Sequence, residues 1–157
     1  MGLKVSTGLR NYMLASGDDF ATGMSGILIK IYGSATSQAA ANALIPATAD
    51  AALGSATLLC TISVSGGGTG GTFDTSPAGG IITKAAGESW TGTNAASGYA
   101  SFYRGVLSGD TGTLSTSEKR IQGTVGTVAK DLIVANAYLT VGVAQPINSF
   151  SIGFPAE

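Results

Sequence analysis

The chain contains no histidine and one cysteine, Cys60. Without histidine there is no Ser-His-Asp or Cys-His pair to activate a nucleophile, and no Ser-Lys motif replaces it. A single cysteine closes no intrachain disulfide, so no disulfide framework is implied. Cys60 falls on the apolar side of an alternating run, where a thiol serves as a small hydrophobe and not as a nucleophile. Charge is also scarce: 8 Lys plus Arg against 9 Asp plus Glu, 11% of all residues, leave a net charge of -1. No basic stripe exists to neutralise a row of phosphates, so nucleic acid is not an expected partner. No apolar run approaches the ~20 residues of a membrane span, and the opening MGLKVSTGLRNYMLASG lacks the apolar centre of a signal peptide. No membrane partner is expected either.

The carboxylates suggest little chemistry. Asp18-Asp19 lacks the spaced oxygen ligands of a calcium loop. Asp74 with Glu88, or Asp110 with Glu118, could pair for glycoside hydrolysis, but nothing in the sequence selects a pair. The expectation is a non-enzymatic protein with no catalytic residue, no metal ligand set and no cofactor.

Glycine is abundant, with 24 residues, seven of them in the sixteen-residue stretch SGGGTGGTFDTSPAGG from Ser65 to Gly80. Gly66, Gly68 and Gly71 satisfy the dinucleotide spacing G-x-G-x-x-G. That fingerprint works only where a helix starts at the third glycine, so that its amides meet the pyrophosphate. The residues after Gly71, TFDTSPAGG, start no useful helix. A Walker loop needs Gly-Lys-Ser/Thr, and no lysine lies between Lys30 and Lys84. The stretch reads as an exposed connection between two strands that orders against a neighbour.

Elsewhere a two-residue period dominates. Ile27, Ile29 and Ile31 share one face of GILIKIYG, and Leu58, Cys60, Ile62 and Val64 share one face of TLLCTISVS. GYASFYRGVL carries bulk on both faces and reads as a central strand. Further extended segments follow near Ile81 to Lys84, around Ser89 to Thr91, in RIQGTVG, in DLIVANAYLTVGV with Ile133, Ala135, Ala137, Leu139, Val141 and Val143 on one face, and in INSFSIGF with Phe150, Ile152 and Phe154 together. Seven or eight short strands separated by glycine or proline turns predict an all-β fold, an antiparallel β-sandwich of jelly-roll-like form. Helical pattern is confined to Ser6–Ala15, with Leu9, Tyr12 and Met13 on one side, and to a short helix or loop over Gln38–Leu44. The expected organisation is an N-terminal arm or short helix at 1–16 and a single β-sandwich domain at 17–157.

A surface so poor in charge and rich in small residues suits a protein packed against other protein. The terminal arm and the glycine stretch are then the expected contact elements, through Leu3, Val5, Leu9, Arg10 and Tyr12 in the first and Thr69 and Phe73 in the second. Trp90, the only tryptophan, is a core or subunit-interface anchor, or alternatively a platform for sugar binding with its aromatic neighbours.

Taken in order, GLKVSTGLRN, ILIKIYGS, PATADAALGSATLLCTISVSG, WTGTNAASGYASFYRGV, RIQGTVGTVAKDLIV and INSFSIGFP resemble small structural proteins of tailed bacteriophages, particularly capsid decoration or cement proteins. The resemblance runs over nearly the whole chain, and PATADAA before an apolar strand is its most specific part. ATSQAAANAL, residues 35–44, departs from the pattern. What the resemblance implies is a jelly-roll-like domain on the capsid surface of a virion, present in host cytoplasm before assembly, commonly a homotrimer, with the major capsid protein as partner. The alternatives are a tail or neck component and a carbohydrate-binding β-sandwich module.

Overall fold

The computed structural model describes residues 2–153. Phe154, expected beside Phe150 and Ile152, lies outside the described residues, as does Met1. The chain is all-β and mainly antiparallel. Its strands are β1 (Lys4–Val5), β2 (Leu28–Ser34), β3 (Thr57–Val64), β4 (Ile81–Thr83), β5 (Trp90–Thr93), β6 (Gly98–Val106), β7 (Ile121–Gly126), β8 (Leu132–Ile133), β9 (Tyr138–Leu139), β10 (Ala144–Ile147) and β11 (Ser151–Gly153). Three short helices accompany them: α1 (Thr7–Ala15), α2 (Phe20–Gly23) and α3 (Gln38–Ala43).

A nine-stranded sheet runs in the order β1-β7-β6-β2-β3-β5-β10, with β8 joined to β7 and β9 to β6. A second, two-stranded sheet pairs β11 with β4. β6 is flanked by β2 and β7 and is buried along almost its whole length, as a strand with bulk on both faces requires. Ile29 and Ile31 of β2, with Ile27 just before it, enter the main core. Ile82 and Ile152, at matching register in the small sheet, enter it as well. Five aromatic rings meet there: Phe73 packs edge-on against Phe20 and Trp90, while Phe150 touches Phe73, Trp90 and Tyr103.

Two expectations of alternation fail for local reasons. In β3, Ile31 of β2 opposes Cys60 while Tyr32 opposes Leu58, so Leu59 is an extra residue at a bulge. The bulge turns Leu59 into the core and leaves Leu58 at the surface. The segment DLIVANAYLTVGV is not one strand but β8 and β9 with irregular chain between them. Leu132, Val134 and Leu139 point inward, and Ile133, Val141 and Val143 are exposed.

The N-terminal segment is part of the domain. Val5 pairs with Ile121, and the Ser6 side chain caps α1 by accepting from the Leu9 N–H at 3.1 Å. The same hydroxyl donates to the Glu118 carbonyl at 2.8 Å and accepts from the Arg120 N–H at 2.9 Å. Gly8 makes this docking possible: a Cβ there would sit 2.2 Å from the Ser117 carbonyl oxygen.

Candidate interaction surfaces

The outer face of the central strands carries an unusual row of polar side chains. Register places Lys4 of β1 opposite Gln122 of β7, Gln122 opposite Arg104 of β6, and Arg104 opposite Lys30 of β2. Such a row on a buried face survives only if each group finds partners. Arg104 donates to Gln122 Oε1 at 2.6 and 3.2 Å and to the carbonyls of Ala51, Thr48 and Gly112. Gln122 Nε2 and Lys4 Nζ both donate to the Pro46 carbonyl, at 2.8 and 3.0 Å. Lys30 Nζ donates to the Asp110 carbonyl at 3.0 Å.

Beside this row, Arg120 forms a two-point pair with Asp110, Nε to Oδ2 and Nη2 to Oδ1 both at 2.6 Å. The Arg120 side chain is 1% exposed and also donates to the carbonyls of Thr113 and Ala49. Burial alone would raise the Asp110 carboxyl, but hydrogen bonds from Arg120 and from the Gly112 N–H, with the Arg120 charge, hold it below the usual carboxylate value. Burial and the nearby Arg120 charge lower Arg104 to about 10, so it remains a cation at neutral pH. These side chains tie the loops 46–53 and 107–120 to the sheet. Arg104 and Arg120 each bond several acceptors, and Lys4 and Lys30 one each.

The glycine stretch is pinned in the same manner. Gly71 exchanges backbone hydrogen bonds with Ile27 at 2.8 and 3.0 Å, and the Trp90 indole lies so close that a Cβ on Gly71 would be 2.4 Å from it. Glu88 accepts from the Thr72 N–H and hydroxyl and from Trp90 Nε1, all within 2.7–2.8 Å. Burial opposes the Glu88 charge, but these donors outweigh it and lower its carboxyl below the usual value. Gly71 thus serves close approach of backbone to an aromatic ring, while Gly70 lies against the Gly26 backbone and Gly66, Gly68 and Gly79 take positive φ.

Among the residues expected at an interface, Leu9, Phe73 and Trp90 lie in the core, Trp90 at 2% exposure. Their contacts are intrachain, and Trp90 offers no open face to a sugar. The reason is the packing just described: Phe73 and Trp90 close the aromatic cluster, while Leu9 anchors α1. Leu3, Val5 and Tyr12 are partly buried against that core, and Tyr12 is further occupied by its bond to Asp18 at 2.7 Å and by Lys119 Nζ 4.1 Å from its ring centre. Arg10 and Thr69 are exposed.

Two open surfaces among the described residues differ sharply in chemistry. One is an apolar notch of about 200 Å³ floored by Phe20, Ile81, Ile82 and Ile152, with Asp19 and Asp74 also lining it. Hydrogen bonds from the Thr22 N–H and side chain keep Asp19 ionised by lowering its pKa. Among the described residues the one ion pair is Arg120–Asp110, so neither notch carboxylate has a cation. The second surface is an open cleft of about 510 Å³ that includes Asn94, Tyr138, Thr140, Val143 and Gln145. No charged residue lines it.

The alternation of the sequence located neither surface, because each is assembled from segments far apart: 19–21, 74–82 and 152 in one, and 94, 127 and 133–149 in the other. The exposed apolar run after Asp131 was the one available signal. No group of three His, Cys, Asp or Glu side chains close enough to hold a metal occurs among the described residues. Nor is any helix among them long and apolar enough to cross a membrane. Comparison with known proteins finds no family model, no curated protein and no solved structure that matches this chain.

Proposed function

We propose that this protein is a non-enzymatic structural component of a tailed-phage virion, a decoration or cement protein that binds the major capsid protein on the shell surface. The observation that carries the reading is the notch: an apolar floor beside two carboxylates that accept backbone hydrogen bonds but have no cation, next to the half-exposed Ile81. An apolar pocket of roughly 150 Å³ is enough to hold a benzene-sized group. The notch therefore suits a large apolar side chain of a shell subunit with a Lys or Arg beside it, the carboxylates favouring that partner over an acidic one. The buried Arg104 and Arg120 bonds hold the loops 46–53 and 107–120 in shape, which lowers the ordering cost of any contact those loops make. A homotrimer at three-fold positions would repeat the contact, so that many modest interfaces must break together before the shell opens.

The test is binding of purified protein to shells stripped of their decoration, with light scattering of the free protein across a dilution series. The expected result is a trimer whose attachment is lost in Ile81→Asp and weakened in Asp74→Asn. Undiminished attachment of both variants would overturn the notch as the contact. Failure of the wild-type protein to bind any stripped shell, with assembly into a larger ring, would replace the reading with a tail or neck component.

A further inference from the structure

We propose that the uncharged cleft beside β9 and β10 is a binding site for a neutral saccharide. Its volume, about 510 Å³, lies in the range of small-molecule sites, roughly 300–1,000 Å³. Its chemistry is selective. The polar groups facing it are amides and hydroxyls, among them Asn94, Asn136, Gln145 and Asn148, with no Asp, Glu, Lys or Arg in the lining. Amide side chains both donate and accept, as a ring of sugar hydroxyls requires. A phosphate, nucleotide or uronic acid would find no countercharge there.

Asn94 supplies the second observation. It is 3% exposed, and its Nδ2 donates to the Thr140 carbonyl at 3.0 Å, which fixes the amide's orientation. Its Oδ1 is buried with no hydrogen-bond partner. Leaving a buried acceptor unpaired costs about 1–3 kcal/mol; Oδ1 is sealed from solvent in the free chain, so a ligand hydroxyl satisfies it by a small shift of the Asn94 side chain at the cleft wall. Tyr138 provides the aromatic element: it is 44% exposed and is braced edge-on by Tyr99, with ring centres 4.9 Å apart. Ile133 and Val143, both exposed, add apolar surface for the C–H faces of a sugar ring.

This site shares no lining residue with the notch assigned to shell attachment, so either can fail alone. The experiment is an amide chemical-shift titration of the full chain with maltose, cellobiose, lactose and chitobiose, each to about 10 mM, tenfold above a Kd of ~1 mM. Sialyllactose is the charged control. The expected result is saturable shifts confined to residues 94 and 133–149 with at least one neutral sugar, weaker shifts with the control, and about tenfold weaker binding in Tyr138→Ala, the scale of losing one aromatic contact. Tyr138 is half-exposed and packs on Tyr99, so this variant should shift amides near residues 98–100 and 138–139 and leave the rest of the spectrum native. Absence of saturable shifts with all four sugars overturns the proposal, as does binding that Tyr138→Ala leaves unchanged.

Discussion

Replacing Asp110 by alanine probes the buried frame most directly. The substitution deletes both acceptors of the Arg120 guanidinium at 2.6 Å and strands a cation that is 1% exposed. Removing one partner of a buried pair costs more than the pair is worth, because the remaining charge stays desolvated. The expected loss is about 4 kcal/mol, which for a chain of this size corresponds to a fall in Tm of roughly 8–16 °C. Urea unfolding followed by far-UV circular dichroism, with calorimetry for Tm, measures both. Adding Arg120→Met removes the stranded charge, so the double variant should recover much of that loss. The pH dependence has a definite sign. The native Asp110 carboxyl is held below its ordinary value, so the pair contributes fully above the unfolded-state pKa of ~3.9 and is lost as pH falls through the lower native pKa. The gap between wild type and Asp110→Ala should therefore be constant from neutral pH down to about 5 and shrink below about 4. A loss under about 1 kcal/mol, the value of a solvated surface pair, would refute the reasoning.

Three other outcomes follow from the packing. Gly71→Ala forces a methyl into the Trp90 ring and should destabilise by about 3 kcal/mol, read as a lower urea midpoint at unchanged m-value. Trp90 should show blue-shifted emission and resist quenching by iodide, because the indole is buried and bonded to Glu88 at 2.7 Å; emission typical of exposed indole would contradict the core assignment. Burial pushes the Cys60 thiol up to about 11, so at pH 8 it should be silent toward a disulfide reagent in the native protein and react only after unfolding.

How far the sequence revealed this structure depends on the kind of residue. Ile27, Ile29 and Ile31 alternated cleanly, and the strand they predict is β2. GYASFYRGVL carried bulk on both faces, and β6 is central. Ser6–Ala15 read as a helix, and α1 covers Thr7–Ala15 with Ser6 as its cap. Leu59 was misassigned because a bulge adds one residue and reverses the faces beyond it. The run after Asp131 misled in a similar manner, since its apolar residues are divided between the core and an open cleft. Trp90 and Phe73 could not be placed by pattern at all: Trp90 is explained by the close approach of Gly71 and Phe73 by its ring contacts with Phe20, Trp90 and Phe150, which lie far from it in sequence. The bonding of Arg104 and Arg120 could not be read in advance, because their partners are mostly backbone carbonyls from distant loops, which leave no mark in a sequence.

The clasp between Ser6 and the segment around Arg120 has a consequence for the order of events during synthesis. Its bonds join positions separated by 112 and 114 residues, so the clasp itself cannot close until most of the chain has left the ribosome, whereas Asp50 can hold Thr7 at the start of α1 much earlier. Closure of this long loop, like the pairing of β1 with β7, comes late, after β2, β3 and β6 have met. A chain stalled before residue 117 would therefore display that helix to chaperones and proteases. Resistance of α1 to proteolysis should appear abruptly, only once β7 is in place.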